Sequence, residues 1–209
     1  DVDKNKSIAL TDGLSDATEP VFDKGGKYLF FFASTDAGPV INWFDQSNQD
    51  MRSTNSIYLV TLQKETNSPF AKESDEEKVK EPTDTLKTKK EAVATSEKKS
   101  ASLVIDWDGI QNRIIDLPIQ AGNYNQLGMG KEGELLYVAN NDNGPGVMHK
   151  YDINKRKDNE VMPMNGYMLS ADGKKMLYAN SGKWFTSGAG EKGEPGKGML
   201  NVESKKKKI

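Results

Sequence analysis

The sequence predicts an all-β chain of four-stranded antiparallel sheets, and three observations lead there. The first is a hairpin unit at residues 20–32, P-V-F-D-K-G-G-K-Y-L-F-F-F, where a polar turn with two glycines precedes an aromatic run. Glycine takes the positive φ that tight turns need, and aromatic side chains suit a packed sheet. The second is recurrence: Lys131-Glu132-Gly133 leads into Glu134–Val138, and Ala171-Asp172-Gly173 leads into Lys174–Asn180. The third is the period. Gly133 and Gly173 stand 40 residues apart, the length of a four-stranded propeller blade. About three such blades can be counted, so the fold class is a partial β-propeller. Rings usually close with about four to eight blades, and an open row leaves edges that natural sheets cover. The array therefore reads as part of a larger propeller.

Taken in order, Ser7–Leu10 reads as a short strand before the Thr11-Asp12-Gly13 turn. Ala17–Phe22 is the innermost strand of the first blade and Lys27–Ser34 the second. Asp36–Asp50 has no period and contains Gly38-Pro39, so it reads as an extended loop. Ser56–Leu62 is the third strand, with Ile57, Leu59 and Leu62 on one side. From Glu65 to Ser100 seventeen residues are charged, eight basic and nine acidic, and only Phe70, Val79, Leu86 and Val93 are large and apolar. Burial there cannot offset ordering entropy, so the segment reads as an exposed insertion, disordered or weakly helical. Order returns with the apolar run Leu103–Trp107, the Asp108-Gly109 turn and the strand Asn112–Leu117, which Pro118 limits. The next blade comprises Tyr124–Met129, Glu134–Asn140, Val147–Ile153 and Asp158–Met162. Asn165–Leu169, Lys174–Asn180 and Lys183–Ser187 belong to a third. The propeller thus spans residues 1–187, and the Gly- and Lys-rich residues 188–209 read as a flexible tail or linker.

Composition excludes several function classes. The 29 basic and 31 acidic residues nearly cancel, so overall charge gives no reason for a nucleic-acid partner. No apolar run approaches the ~18 residues of a helical membrane span. The chain has no cysteine, which removes disulfides and thiol chemistry without choosing a compartment.

The candidate chemistry is sparse. Gly-x-Ser-x-Gly, His-Glu-x-x-His and the P-loop pattern are missing. The single histidine, His149, would need a nucleophile and an orienting acid for catalysis, or further ligands for a metal; its strand position favours a structural role. Asp106 and Asp108 flank Trp107, and Asp12, Asp16 and Glu19 lie near the first blade. Such carboxylates can serve acid–base work or calcium, but aspartate before glycine is explained by turn capping. Asp142-Asn143-Gly144 lacks the later ligand positions of a calcium loop. No catalytic residue, cofactor or metal is expected. Trp107 and Trp184 are expected to pack between blades. Trp43 and Phe44, with the adjacent Asp45, lie in a loop-like stretch and are the candidate peptide or subunit contact.

Residues 10–23, L-T-D-G-L-S-D-A-T-E-P-V-F-D, resemble the propeller region of tricorn-type proteases, serine peptidases related to the carboxy-terminal processing peptidases. Residues 33–38 (A-S-T-D-A-G), 56–59 (S-I-Y-L), Ser68-Pro69-Phe70 with Glu73–Glu77, and 105–114 (I-D-W-D-G-I-Q-N-R-I) match the same family. Residues 168–175, M-L-S-A-D-G-K-K, resemble the repeat shared with TolB-like (PD40) propellers. The resemblance covers roughly residues 7–187. It implies a noncatalytic propeller that admits, filters or docks oligopeptides for a serine-protease core absent from this chain. It also implies PDZ and protease domains in the parent chain, homo-oligomeric assembly and a periplasmic or secreted location, with the cytoplasm as the other possibility. The other functional reading is a TolB-like protein-binding module without peptidase activity.

Overall fold

The first and third predicted hairpin turns are locked by their own side chains, and the second is closed by backbone hydrogen bonds. Asp23 accepts hydrogen bonds from the backbone N–H groups of Gly25, Lys27 and Tyr28 at 3.0, 2.7 and 2.7 Å. Gly26, Gly133 and Gly173 sit at φ of 66°, 81° and 63°, the left-handed region that glycine enters without a Cβ clash. In the third hairpin Asp172 accepts from the Lys174 N–H and from the Ser170 hydroxyl. A computed structural model describes residues 5–34, 54–71, 103–141, 143–194 and 197–201.

These turns build three four-stranded antiparallel sheets. The first contains β1 (Asp16–Phe22), β2 (Tyr28–Ser34), β3 (Ser56–Thr61) and β4 (Ile114–Asp116), in that order. The second contains β5 (Tyr124–Met129), β6 (Glu134–Ala139), β7 (Val147–Asp152) and β8 (Lys157–Pro163). The third contains β9 (Tyr167–Leu169), β10 (Lys175–Asn180), β11 (Lys183–Gly188) and β12 (Met199–Leu200). The sheets stack in a row, each up-and-down and none closed on itself, which is the partial propeller expected.

Period-2 alternation puts one set of side chains on each face of a strand. From β2 and β3, Phe30, Phe32, Ile57 and Leu59 pack with Leu135, Tyr137 and Tyr151 of the second sheet. From the opposite face of the second sheet, Leu136, Val138 and Met148 pack with Met176 and Tyr178 of the third. The innermost strands β1 and β5 each carry a register break, between Thr18 and Val21 and between Asn125 and Gly128. Glu19 and Gln126 lie in those breaks at φ of 51° and 55°.

The structure departs from the sequence reading at four places. Ser7–Leu10 forms no strand; Leu10 instead packs on the outer face of the first sheet. The strand expected at Asn112–Leu117 is shortened to Ile114–Asp116, and before it Ile105 and Trp107 cover that face beside Leu29, Val60 and Leu62. Leu62 therefore lies with Val60, on the side opposite Ile57 and Leu59. Finally, after Gly188, where composition reads as linker, Met199–Leu200 returns to pair with Trp184 and Phe185. A two-residue strand has no periodicity to detect, and backbone pairing places it. A short 3₁₀ turn, Ile110–Arg113, opens the approach to β4 and buries Ile110.

Candidate functional site

The inner ends of the three sheets line a shallow, open groove of about 530 Å³. Val21 and Phe22 come from β1, Leu127 and Met129 from β5, and Leu169 from β9. Register explains the convergence. Phe22, Met129 and Leu169 pair with Leu29, Leu135 and Met176, the equivalent position of each hairpin. Phe22 is 46% exposed, so the wall presents an apolar ring at its surface. Lys24 spans the rim, donating from Nζ to the Asp172 carbonyl of the third hairpin at 3.1 Å. Apolar side chains interspersed with Lys24, Gln126 and Ser170 suit binding of an uncharged or anionic extended chain.

The same wall holds no poised nucleophile. Ser170 Oγ lies 2.6 Å from Asp172 Oδ1 and accepts the Lys175 N–H at 3.0 Å, so its hydroxyl is spent on the turn. That hydrogen bond, with the Lys174 N–H, holds the Asp172 carboxyl below the usual range. His149 lies on β7 in the second sheet, with Nδ1 2.7 Å from Asp158 Oδ2 and its ring stacked on Tyr137 at 5.0 Å. Burial, reinforced by the charge of Asp158, pushes the Tyr137 phenol well above its ordinary range. Serine and histidine are each tied to a separate aspartate.

The remaining sequence candidates disperse. Lys64 engages both residues of the Asp106/Asp108 pair: its N–H reaches Asp106 Oδ2 at 2.9 Å and its Nζ reaches Asp108 Oδ2 at 2.7 Å. The Lys64 hydrogen bond lowers the Asp108 carboxyl. Asp12 caps the Leu14 N–H, whereas Glu19 reaches the Leu127 N–H of the second sheet. Among the described residues no group of three or more His, Cys, Asp or Glu is placed to hold a metal ion. Trp107 is half-buried but packs on the outer face of the first sheet, among residues of that sheet and its loops and not between two of the sheets. Trp184 does not pack between sheets either: its ring is 40% exposed on the face of the third sheet away from the second. Trp43, Phe44 and Asp45 lie outside the described residues, as does Asp142. The residues that sequence reasoning missed are Lys24, Gln126 and Tyr167. Aligning the hairpins on their turn glycines brings these positions into view, but only knowledge of the sheet packing makes them converge.

No family model matches the chain, and no curated protein sequence matches it. Its fold is similar to a solved structure described as the crystal structure of the tricorn protease, with a TM-score of 0.59 at 18% identity. The match covers 90% of this chain and 17% of that one. At that identity the likeness is one of fold: a tricorn-like partial propeller, spanning about a sixth of the larger protein. No helix among the described residues is long and apolar enough to cross a membrane.

Proposed function

We propose that this chain is the noncatalytic propeller part of a tricorn-like serine peptidase, admitting, filtering or docking oligopeptides for a protease core supplied outside it. The observation that carries the reading is the tricorn-like fold over nine-tenths of the chain, together with an inner groove of mixed lining in which Val21, Phe22, Leu127 and Leu169 stand beside Lys24, Gln126 and Ser170. On this reading residues 1–187 form the propeller, with 65–100 a charged insertion, and 188–209 are a tail or linker whose Met199–Leu200 adds a short strand to the third sheet. PDZ and protease domains of the parent chain, and further copies in a homo-oligomer, are the protein partners. The compartment is periplasmic or secreted, and the repeats belong with the TolB-like, PD40 type.

Trp43, Phe44 and Asp45 form the peptide or subunit contact in this proposal, since the sequence around them is loop-like and aromatic residues make good anchors. Replacing Trp43 and Phe44 together by alanine in the full-length enzyme is expected to lower oligopeptide kcat/KM about tenfold, equivalent to ~1.4 kcal/mol, with melting unchanged. Unaltered turnover overturns that contact. A full-length protein with no peptidase activity on any oligopeptide overturns the peptidase assignment, and leaves a protein-binding propeller.

A further inference from the structure

The two register breaks in the inner strands sit at one repeat position. Counting back from the paired residues Phe22, Met129 and Leu169, Glu19 of β1 corresponds to Gln126 of β5 and to Gly166 just before β9. Glu19 and Gln126 share the left-handed conformation, at φ of 51° and 55°. Glycine would occupy that region without strain, whereas a side chain there carries a steric cost. Both side chains are used in one way. Glu19 Oε2 accepts the Leu127 N–H of the second sheet at 2.7 Å, and Gln126 Oε1 accepts the Tyr167 N–H of the third at 2.6 Å. Leu127 and Tyr167 are themselves equivalent, each one residue past that position.

We infer that Glu19 and Gln126 are inter-sheet arms, each reaching from a bulge in one innermost strand to the same backbone N–H of the next. The arms index neighbouring sheets to one another and join three inner strands into a continuous wall. The second junction is the tighter of the two, because Tyr167 answers with its hydroxyl, donating to the Gln126 carbonyl at 2.7 Å. Gly166 has a reason to lack a side chain: a Cβ there would lie 2.5 Å from Gln126 Nε2. The arm of the second sheet fills the space where an arm of the third would start. Burial and then the Glu19 charge raise the Tyr167 phenol, which places the two arms in one electrostatic neighbourhood. This inference concerns how the wall is held and does not depend on what passes along it.

Residue-resolved amide hydrogen exchange on the 209-residue chain tests it. Glu19→Gly relaxes the backbone while deleting the first arm, and is expected to speed exchange at Leu127 about tenfold or more while Tyr167 keeps its protection. Gln126→Gly is expected to do the reverse. Glu19→Gln, which restores an acceptor oxygen of the Gln126 kind, is expected to retain protection at Leu127. Unchanged exchange at Leu127 in Glu19→Gly overturns the inference. So does acceleration spread evenly over all three sheets, or a Glu19→Gln variant that exchanges like the glycine one.

Discussion

The layer between the first and second sheets is rich in buried aromatic rings, whereas the layer between the second and third is rich in methionines, with Tyr178 as the buried aromatic of its cluster. Phe30, Phe32, Tyr137 and Tyr151 form the first, all nearly inaccessible to solvent. Met148, Met162, Met164 and Met176 dominate the second. Strand order and pairing are alike, and β6 serves both layers, with Leu135 and Tyr137 on one face and Leu136 and Val138 on the other. The difference therefore lies in what fills the space. Aromatic rings bring large buried area and fixed geometry, but each tyrosine also buries a hydroxyl that wants a partner. Methionine adapts its shape and carries no such demand. A propeller position specifies an apolar volume, and the chain fills it either rigidly with several buried phenols or more flexibly with fewer.

The largest expected effect is on the rigid side. Phe32 is 1% exposed and stacked with Tyr124 at 6.3 Å, so Phe32→Ala should cost about 4 kcal/mol, measured by urea denaturation. Met148→Ala in the second layer should cost about 3 kcal/mol, because Met148 is fully buried. The comparison sharpens with shape-preserving changes. Met148→Leu should stay below about 1.5 kcal/mol, and a larger loss would mean that the methionine layer is as finely fitted as the aromatic one.

Alkaline pH should expose the tyrosines. Burial is the main cause raising the phenols of Tyr124, Tyr137, Tyr151 and Tyr167 above the ordinary 10.0. In the unfolded chain these groups lose their protons near that ordinary value, while folded they keep them. The folded state then binds more protons, so this contribution is complete below about pH 10 and is lost as pH rises beyond it. Urea midpoints should fall between pH 10 and 11, and the phenolate absorbance of these four tyrosines should rise with unfolding rather than before it. Tyr137→Phe should flatten that fall. An unchanged slope would show that the first layer is not where the phenols are held.

Much of this architecture was legible locally. β5 through β8 lie within a residue or two of the sequence expectation, because Gly-containing turns flank apolar runs of strand length. The interior of each hairpin, Asp23 to Tyr28 above all, is decided by short-range hydrogen bonds. What escaped is non-local. Glu19 meets Leu127 across 108 residues and Gln126 meets Tyr167 across 41, and no composition or period marks a bulge occupied by a residue other than glycine. Trp107 and Ile105 form an apolar run that suits a strand, yet they cap the first sheet because Arg113 ties the segment to the carbonyls of Thr61, Asp106 and Asp108. Of the candidate site, the reading of Trp43 and Phe44 as a loop contact rests on composition, whereas the inner wall requires three sheets placed side by side.

The smallest effect tests one of those buried phenols. The Tyr151 ring is 1% exposed and tilted against Phe70 at 6.5 Å, while its hydroxyl is buried with no hydrogen-bond partner among the described residues. Its neighbours show the alternative: Tyr124 donates to the Gln120 carbonyl at 2.6 Å. A buried hydroxyl without a partner forfeits its hydration and gains nothing in return. Tyr151→Phe removes that oxygen and keeps the ring, so it should raise stability by about 1 kcal/mol, where Tyr124→Phe should lower it by a similar amount. If Tyr151→Phe instead destabilises the chain as Tyr124→Phe does, the hydroxyl is satisfied in solution, and the aromatic layer carries no excess polar cost over the methionine one.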